Sequence, residues 1–152
     1  MRVFNNSSRG VLVNIEIMSR TKMREFSFHA HDEKIAVISI SDVDKTNPEL
    51  HNNPENGIFK LFQVRFADVE IGEPNCITDE QANEIAEFVV GILDSADKIV
   101  VHCEAGVSRS AGVGAALMKF IKGYDWDVFD KPRFCPNMTC YRKVLNALGQ
   151  GR

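Results

Sequence analysis

The chain has 152 residues and a formal net charge of −3, a balance that offers no attraction toward nucleic acid or an anionic membrane surface. Its hydrophobic content of 44% and charged content of 26% are those of an ordinary soluble globular protein, and its length suits a single domain, 1–152, with a sizeable core. No apolar run approaches the roughly 18 residues that span a bilayer, and Asn14 and Glu16 interrupt the only N-terminal stretch that resembles a signal-peptide core. Val11 to Ile17 is mostly apolar and β-branched, which predicts a strand. Ser19 to Phe26 follows as one or two helical turns capped by Ser19 or Thr21. Lys34 to Ile40, KIAVISI, predicts a strand buried on both faces. Asp42 to Gly57 is rich in Asp, Asn, Pro and Lys and reads as a long surface loop, a kind that often carries function.

Phe59 to Phe66 alternates apolar and polar residues, interrupted at Leu61-Phe62, and predicts a further strand. Thr78 and Gln81 have the spacing of a capping box. They open a helix whose stripe is Ala82, Ile85, Ala86, Val89 and Leu93 and which ends near Ser95. Lys98 to His102 predicts a buried strand. Ser108 to Lys122 predicts a helix with small residues where a sheet approaches, and Gly123 is its stop. Asn137 caps a last helix, Met138 to Leu148. Strands interleaved with helices indicate a three-layer α/β domain, with a central, mostly parallel sheet of four to five strands flanked by helices. In open sheets of this kind ligands bind outside the carboxyl ends of the strands.

The stretch His102 to Ser110, HCEAGVSRS, stands where such a strand ends and a helix begins. A thiolate is stabilised by a helix N-terminus and by nearby cations, and this loop offers both to Cys103. The N–H groups from Glu104, Ala105, Gly106, Val107, Ser108 and Arg109 can curl around an anion as a nest. Gly106 permits a turn that a side chain obstructs. The Arg109 guanidinium can grip two phosphate oxygens at once. Ser110 can donate a hydrogen bond to the Cys103 sulfur, and His102 can brace the loop through backbone carbonyls. The combination points to a phosphate cradle with a nucleophile at its floor.

At these residues the sequence resembles the cysteine-dependent protein tyrosine and dual-specificity phosphatases, in particular their small bacterial or phage-like members. The signature is His-Cys, five residues, Arg, then Ser or Thr, and Gly106-Val107-Ser108-Arg109-Ser110 has the dual-specificity form. The resemblance is strong in the loop and covers Phe59 to Ala147 in outline, whereas the first 55 residues match loosely. It implies a dual-specificity phosphatase-like fold and hydrolysis of phosphotyrosine, with phosphoserine and phosphothreonine as further substrates, through a phosphocysteine. It also implies a general acid some thirty-odd residues before the cysteine. Asp68 is the choice, with Glu70 and Glu73 in the same loop as alternatives. Pro136-Asn137 resembles the pair before the family's final helix, where the asparagine supports the acid or the phosphate loop; a plain helix cap is the other reading of Asn137. Trp-Pro-Asp, found in the large tyrosine-specific enzymes, is absent here.

This chemistry needs no metal and no cofactor. The expected partner is a phosphorylated protein or a small phosphomonoester, not nucleic acid or membrane, and the expected location is the cytoplasm, where four cysteines stay reduced. The alternatives are a phosphate-binding pseudophosphatase, a phosphatase of an inositol phosphate or similar molecule, and sulfur or arsenate redox chemistry. Glu104, Ala105 and Val107 bring no lysine to the loop, which favours a singly phosphorylated group. His29 and His31 read as solvated loop residues, and Cys135 and Cys140 as core or helix-edge thiols. Cys76 is a candidate redox partner of Cys103, and Trp126 suits a pocket rim or a satellite cluster.

Overall fold

The computed structural model describes residues 13–51 and 54–149; residues 11 and 12 of the first expected strand lie outside them. Among the described residues four strands form one sheet: β1 (Asn14–Ser19), β2 (Ile35–Ser41), β3 (Ile58–Arg65) and β4 (Lys98–Cys103), in the order β1-β4-β2-β3. Every pairing among them is parallel. β4 therefore lies between the chain's first two strands, with Ile99 beside Ile15 on one side and Ala36 on the other. Each residue of β2 is buried, as its unbroken apolar run requires of an interior parallel strand. β3 lies at an edge, and its half-buried Phe59, Leu61 and Phe62 match its imperfect alternation.

Among the described residues five α-helices accompany this sheet: α1 (Arg20–Ser27), α2 (Asp79–Ile92), α3 (Arg109–Lys122), α4 (Trp126–Phe129) and α5 (Met138–Gly149). Ser19 caps α1, its Oγ accepting from the Lys22 N–H at 3.1 Å. Thr78 and Gln81 form the reciprocal capping box of α2, both bonds being 3.0 Å. α2 stops at Ile92, and a turn in which the Ser95 N–H reaches the Ile92 carbonyl leads toward β4. Gly123 ends α3 in the left-handed conformation, φ +87°. α4 has four residues and no side-chain cap, too short for periodicity to reveal. No helix among the described residues is long and apolar enough to cross a membrane.

The two faces of the sheet are unequal. Ile38, Ile40, Ile99 and Val101 point to the face covered by α2, α3 and α5, where they meet Ile85, Val89, Leu117, Val144 and Leu148. The intervening residues Val37 and Val100 point the other way and pack with Met18, Met23 and Ile58, under α1. This is the period-2 alternation of a strand serving two cores. α3 is the central helix, buried continuously from Arg109 to Met118. Its small residues let neighbours approach: a Cβ on Gly112 would strike the Asn137 carbonyl and one on Gly114 would lie 2.8 Å from the Ile17 Cδ1. α5 is thereby seated directly against the start of α3.

His102 ties two strands inside the sheet. Its Nε2 lies 2.6 Å from Ser39 Oγ on β2, and its Nδ1 lies 3.3 Å from the Cys103 carbonyl. The carbonyl can only accept, so Nδ1 carries the proton and Nε2 accepts from the Ser39 hydroxyl. Burial, outweighing the bond to that carbonyl, lowers the pKa of the ring from 6.5 to about 4. The unfolded chain therefore binds more protons between these values, and stability rises with pH across them. His102 gives its full contribution above pH 6.5 and loses it as pH falls toward 4, a change of about 3 kcal/mol. In urea unfolding followed from pH 7 to pH 4, a His102→Gln protein is expected to lack that share of the acid sensitivity; an unchanged slope would assign it to other groups.

Candidate active site

Because all four strands run the same way, their carboxyl ends share one edge of the sheet. Ser19, Ser41, Arg65 and Cys103 end there, and the segments that follow them meet above that edge. From β4 comes the loop Glu104 to Ser108, closed by Arg109 at the start of α3. Gly106 has φ +72°, and a Cβ on it would lie 2.6 Å from the Ser19 nitrogen. The loop rests against the end of β1 at that point, so both its conformation and its space require glycine.

The carbonyls of the loop are bonded outward. Glu104 O accepts from Arg20 N at 3.1 Å, Val107 O from Cys135 N at 2.9 Å and Ser108 O from Asn137 N at 3.0 Å. In a trans peptide the C=O and the next N–H point oppositely, so the N–H groups of Ala105, Ser108 and Arg109 face the inside of the loop. The last of these belongs to the unbonded first turn of α3, where the helix dipole also favours an anion. Cys103 is buried at the floor, with its Sγ 3.1 Å from Ser110 Oγ. The hydroxyl donates to sulfur whenever the sulfur is a thiolate, which has no proton to give.

Arg109 is 4% exposed. Its Nη1 donates to the Phe66 carbonyl at 2.8 Å and lies 2.7 Å from Asp42 Oδ1. Its Nε is buried and has no hydrogen-bond partner among the described residues. One nitrogen of the guanidinium is thus fixed by protein, and Nε is left without an acceptor. Leaving a charged donor buried and unbonded is costly, and an anion in the loop relieves it.

Asp68 lies on the segment that leaves β3, in an exposed position beside the loop. Its Oδ1 accepts from Ser108 Oγ at 2.7 Å and from Asn137 Nδ2 at 3.0 Å. Asn137 joins that acid segment twice, since Nδ2 also reaches the Val69 carbonyl at 3.1 Å. Its own Oδ1 accepts from the Cys140 N–H at 3.0 Å, which caps α5. Asn137 is therefore both a helix cap and a brace for Asp68. Glu70 is occupied elsewhere: Thr139 Oγ1 donates to its carboxylate at 2.6 Å and accepts from the Ile71 N–H at 2.9 Å. Glu73 closes a turn, its carbonyl accepting from the Cys76 N–H.

The structure gathers Cys103, Arg109, Ser110, His102, Asp68 and Asn137 around one loop. Asp42, Thr139 and Ser39 join them, none singled out by the sequence. Asp42 had a signal, being the first residue after a strand at the carboxyl edge; Thr139 and Ser39 had none. Among the remaining residues, His31 departs from the solvated-loop expectation. It is partly buried, its ring stacked at 3.9 Å on Phe26 and its Nε2 2.8 Å from the Phe26 carbonyl at the end of α1. The four cysteines are free, and burial pushes the Cys140 thiol well above its ordinary pKa. Trp126 is exposed and stacked on Tyr124 at 4.2 Å, a surface pair.

No family model matches this sequence, and no curated protein matches it. Solved structures do. The structure of Tk-PTP in the active form superposes with a TM-score of 0.55 at 18% identity, covering 92% of each chain. The human tyrosine phosphatase-like serine/threonine/tyrosine-interacting protein gives a TM-score of 0.52 at 21% identity, covering 74% of each. PTPMT1 in complex with PI(5)P gives 0.50 at 15% identity, covering 89% of this chain and 90% of its own. With its parallel sheet and its cysteine loop at the sheet's carboxyl edge, the chain has the fold of the cysteine-dependent tyrosine and dual-specificity phosphatases.

Proposed function

We propose that this protein is a cysteine-dependent phosphatase that hydrolyses phosphotyrosine in proteins. The observation that carries this reading is the buried Arg109 guanidinium. Asp42 and the Phe66 carbonyl hold one nitrogen, and an unbonded Nε remains beside a loop whose amides face inward. A phosphoryl group supplies the acceptors this arrangement lacks. The loop's side chains, Glu104, Ala105 and Val107, add no cation, and the nearby Lys45 is engaged with Glu104 at 3.2 Å. That supports a singly phosphorylated substrate group.

In the proposed reaction the Cys103 thiolate attacks phosphorus. An S–P bond forms while the bond from phosphorus to the ester oxygen breaks. Asp68 gives that oxygen a proton. Its Oδ1 already accepts two hydrogen bonds, so the transferable proton belongs on Oδ2. Water then attacks the phosphocysteine and returns a proton to Asp68. The S–P bond breaks, and the departing thiolate is stabilised by the Ser110 hydroxyl. Arg109 and the inward amides hold the equatorial oxygens through both transition states. Asp42 acts through Arg109, fixing the plane of the guanidinium.

Three substitutions test this assignment with p-nitrophenyl phosphate and alkyl or aryl phosphates of poorer leaving groups. Cys103→Ser is expected to abolish turnover, and retained turnover would remove Cys103 from the chemistry. Asp68→Asn is expected to lose about 10²- to 10⁴-fold on poor leaving groups, the range of acid catalysis, with a smaller loss on p-nitrophenyl phosphate. An equal loss on both would move the acid elsewhere. Asp42→Asn is expected to lower kcat/KM by on the order of 100-fold through a misplaced guanidinium, with the loss independent of the leaving group. A leaving-group dependence would instead make Asp42 part of the proton transfer.

A further inference from the structure

The outer wall of the Cys103 loop borders a second concavity that the reaction does not use. A cavity of about 310 Å³ lies between Ala105–Val107 and β1, with Lys22 and Arg133 at its rim. A second of about 370 Å³ continues it past Lys122 and Lys131. The two share Glu16, Ile17, Arg133 and Phe134, so they form one groove along β1. β1 is an edge strand of the described sheet. Its six residues give the groove a length of about 17 Å, room for roughly five residues of extended chain.

The floor of this groove is apolar and its rim is cationic. Ile15, Ile17, Met118, Val128 and Phe134 pack together beneath it. Lys22, Lys122, Lys131 and Arg133 surround it, and none of these four pairs with a carboxylate among the described residues. Arg133 is steadied over the floor by the Phe134 ring, 4.5 Å from the guanidinium carbon to the ring centroid. Of the carboxylates in the groove, Glu16 is bound to Lys98 at 2.9 Å, which leaves Asp127. The rim therefore carries a local positive excess on a chain whose net charge is −3.

We infer that this groove is a docking surface for an acidic, extended segment of a phosphoprotein substrate. The choice of a substrate rests on the phosphatase reading. The charge of the segment rests on the rim, and its extended form on the strand edge. Continuity with the wall of the Cys103 loop allows one polypeptide to place its phosphorylated residue in the cradle while its flanking carboxylates lie along β1. Isolated surface pairs contribute little each, so the groove acts through several at once and chiefly on binding and encounter.

The test uses the full chain and labelled phosphotyrosyl peptides whose flanks are rich in Asp and Glu, or have those residues replaced by Ser. Fluorescence anisotropy with the Cys103→Ser protein reads binding without turnover. The acidic peptide is expected to bind about tenfold more tightly at low ionic strength, with the difference shrinking near about 0.5 M salt. Combining Lys122→Glu with Lys131→Glu is expected to abolish the preference. In the Cys103 protein the same pair of changes is expected to leave turnover of p-nitrophenyl phosphate unaltered, since that molecule does not extend beyond the cradle. Equal affinity for the two peptides, or a preference that survives both substitutions, would overturn the groove. A protein that shows the preference but no turnover before substitution would instead overturn the phosphatase reading, so the two failures are distinct.

Discussion

One guanidinium joins three of the four strand ends. Arg109 belongs to the loop after β4, its Nη1 reaches the Phe66 carbonyl where β3 ends, and the same nitrogen meets Asp42 where β2 ends. It is almost wholly buried, which raises the importance of each partner, because a buried charge tolerates neither loss of its acceptors nor free rotation. The position of the acid segment, the Asp42 loop and the cysteine loop relative to one another all pass through this side chain. Its orphaned Nε is then a consequence of the same fixing. Two partners hold Nη1 and fix the plane of the guanidinium.

A second set of bonds does for the acid what Asp42 does for the arginine. Asn137 caps α5 with its carbonyl oxygen and holds Asp68 and Val69 with its amide. α5 can stand that close because Gly112 has no side chain to meet the Asn137 carbonyl. Packing of two helices thereby sets the distance between Asp68 and the cysteine loop. Thr139, two residues further on, secures Glu70 and the backbone at Ile71 in the same manner. Such bracing is what keeps an otherwise exposed carboxylate such as Asp68 beside the loop without burying it.

The loop itself is held from outside. Its carbonyls are bonded by Arg20 on one side and by Cys135 and Asn137, from the segment before α5, on the other, and His102 bonds back to the Cys103 carbonyl. The inward amides result from those outward bonds. Donors fixed in this way need no reorganisation to meet an anion, which is the physical basis of the electrostatic stabilisation proposed above. The outer side of the same loop forms one wall of the β1 groove, so the proposed cradle and the proposed docking groove share a single piece of backbone.

Much of this was legible in the chain's local chemistry. KIAVISI read as a buried strand, Thr78 and Gln81 had the spacing of a capping box, and the spacing from Cys103 to Ser110 placed a thiol, a glycine turn, a guanidinium and a hydroxyl on one short loop. Those features act over a few residues, where periodicity, capping and backbone conformation decide. The sequence left the partners across the sheet unnamed. Nothing local indicates that β4 inserts between β1 and β2, that Asp42 turns toward Arg109, or that Ser39 meets His102. It also left Asn137 suspended between cap and brace, whereas the packed helices make it both. The four cations around β1 come from Lys22, Lys122, Lys131 and Arg133, more than 100 residues apart at their extremes, and only the folded sheet edge brings them together. The residue types of the site follow from short-range chemistry; their assembly follows from strand order and close helix packing, which depend on the whole core at once.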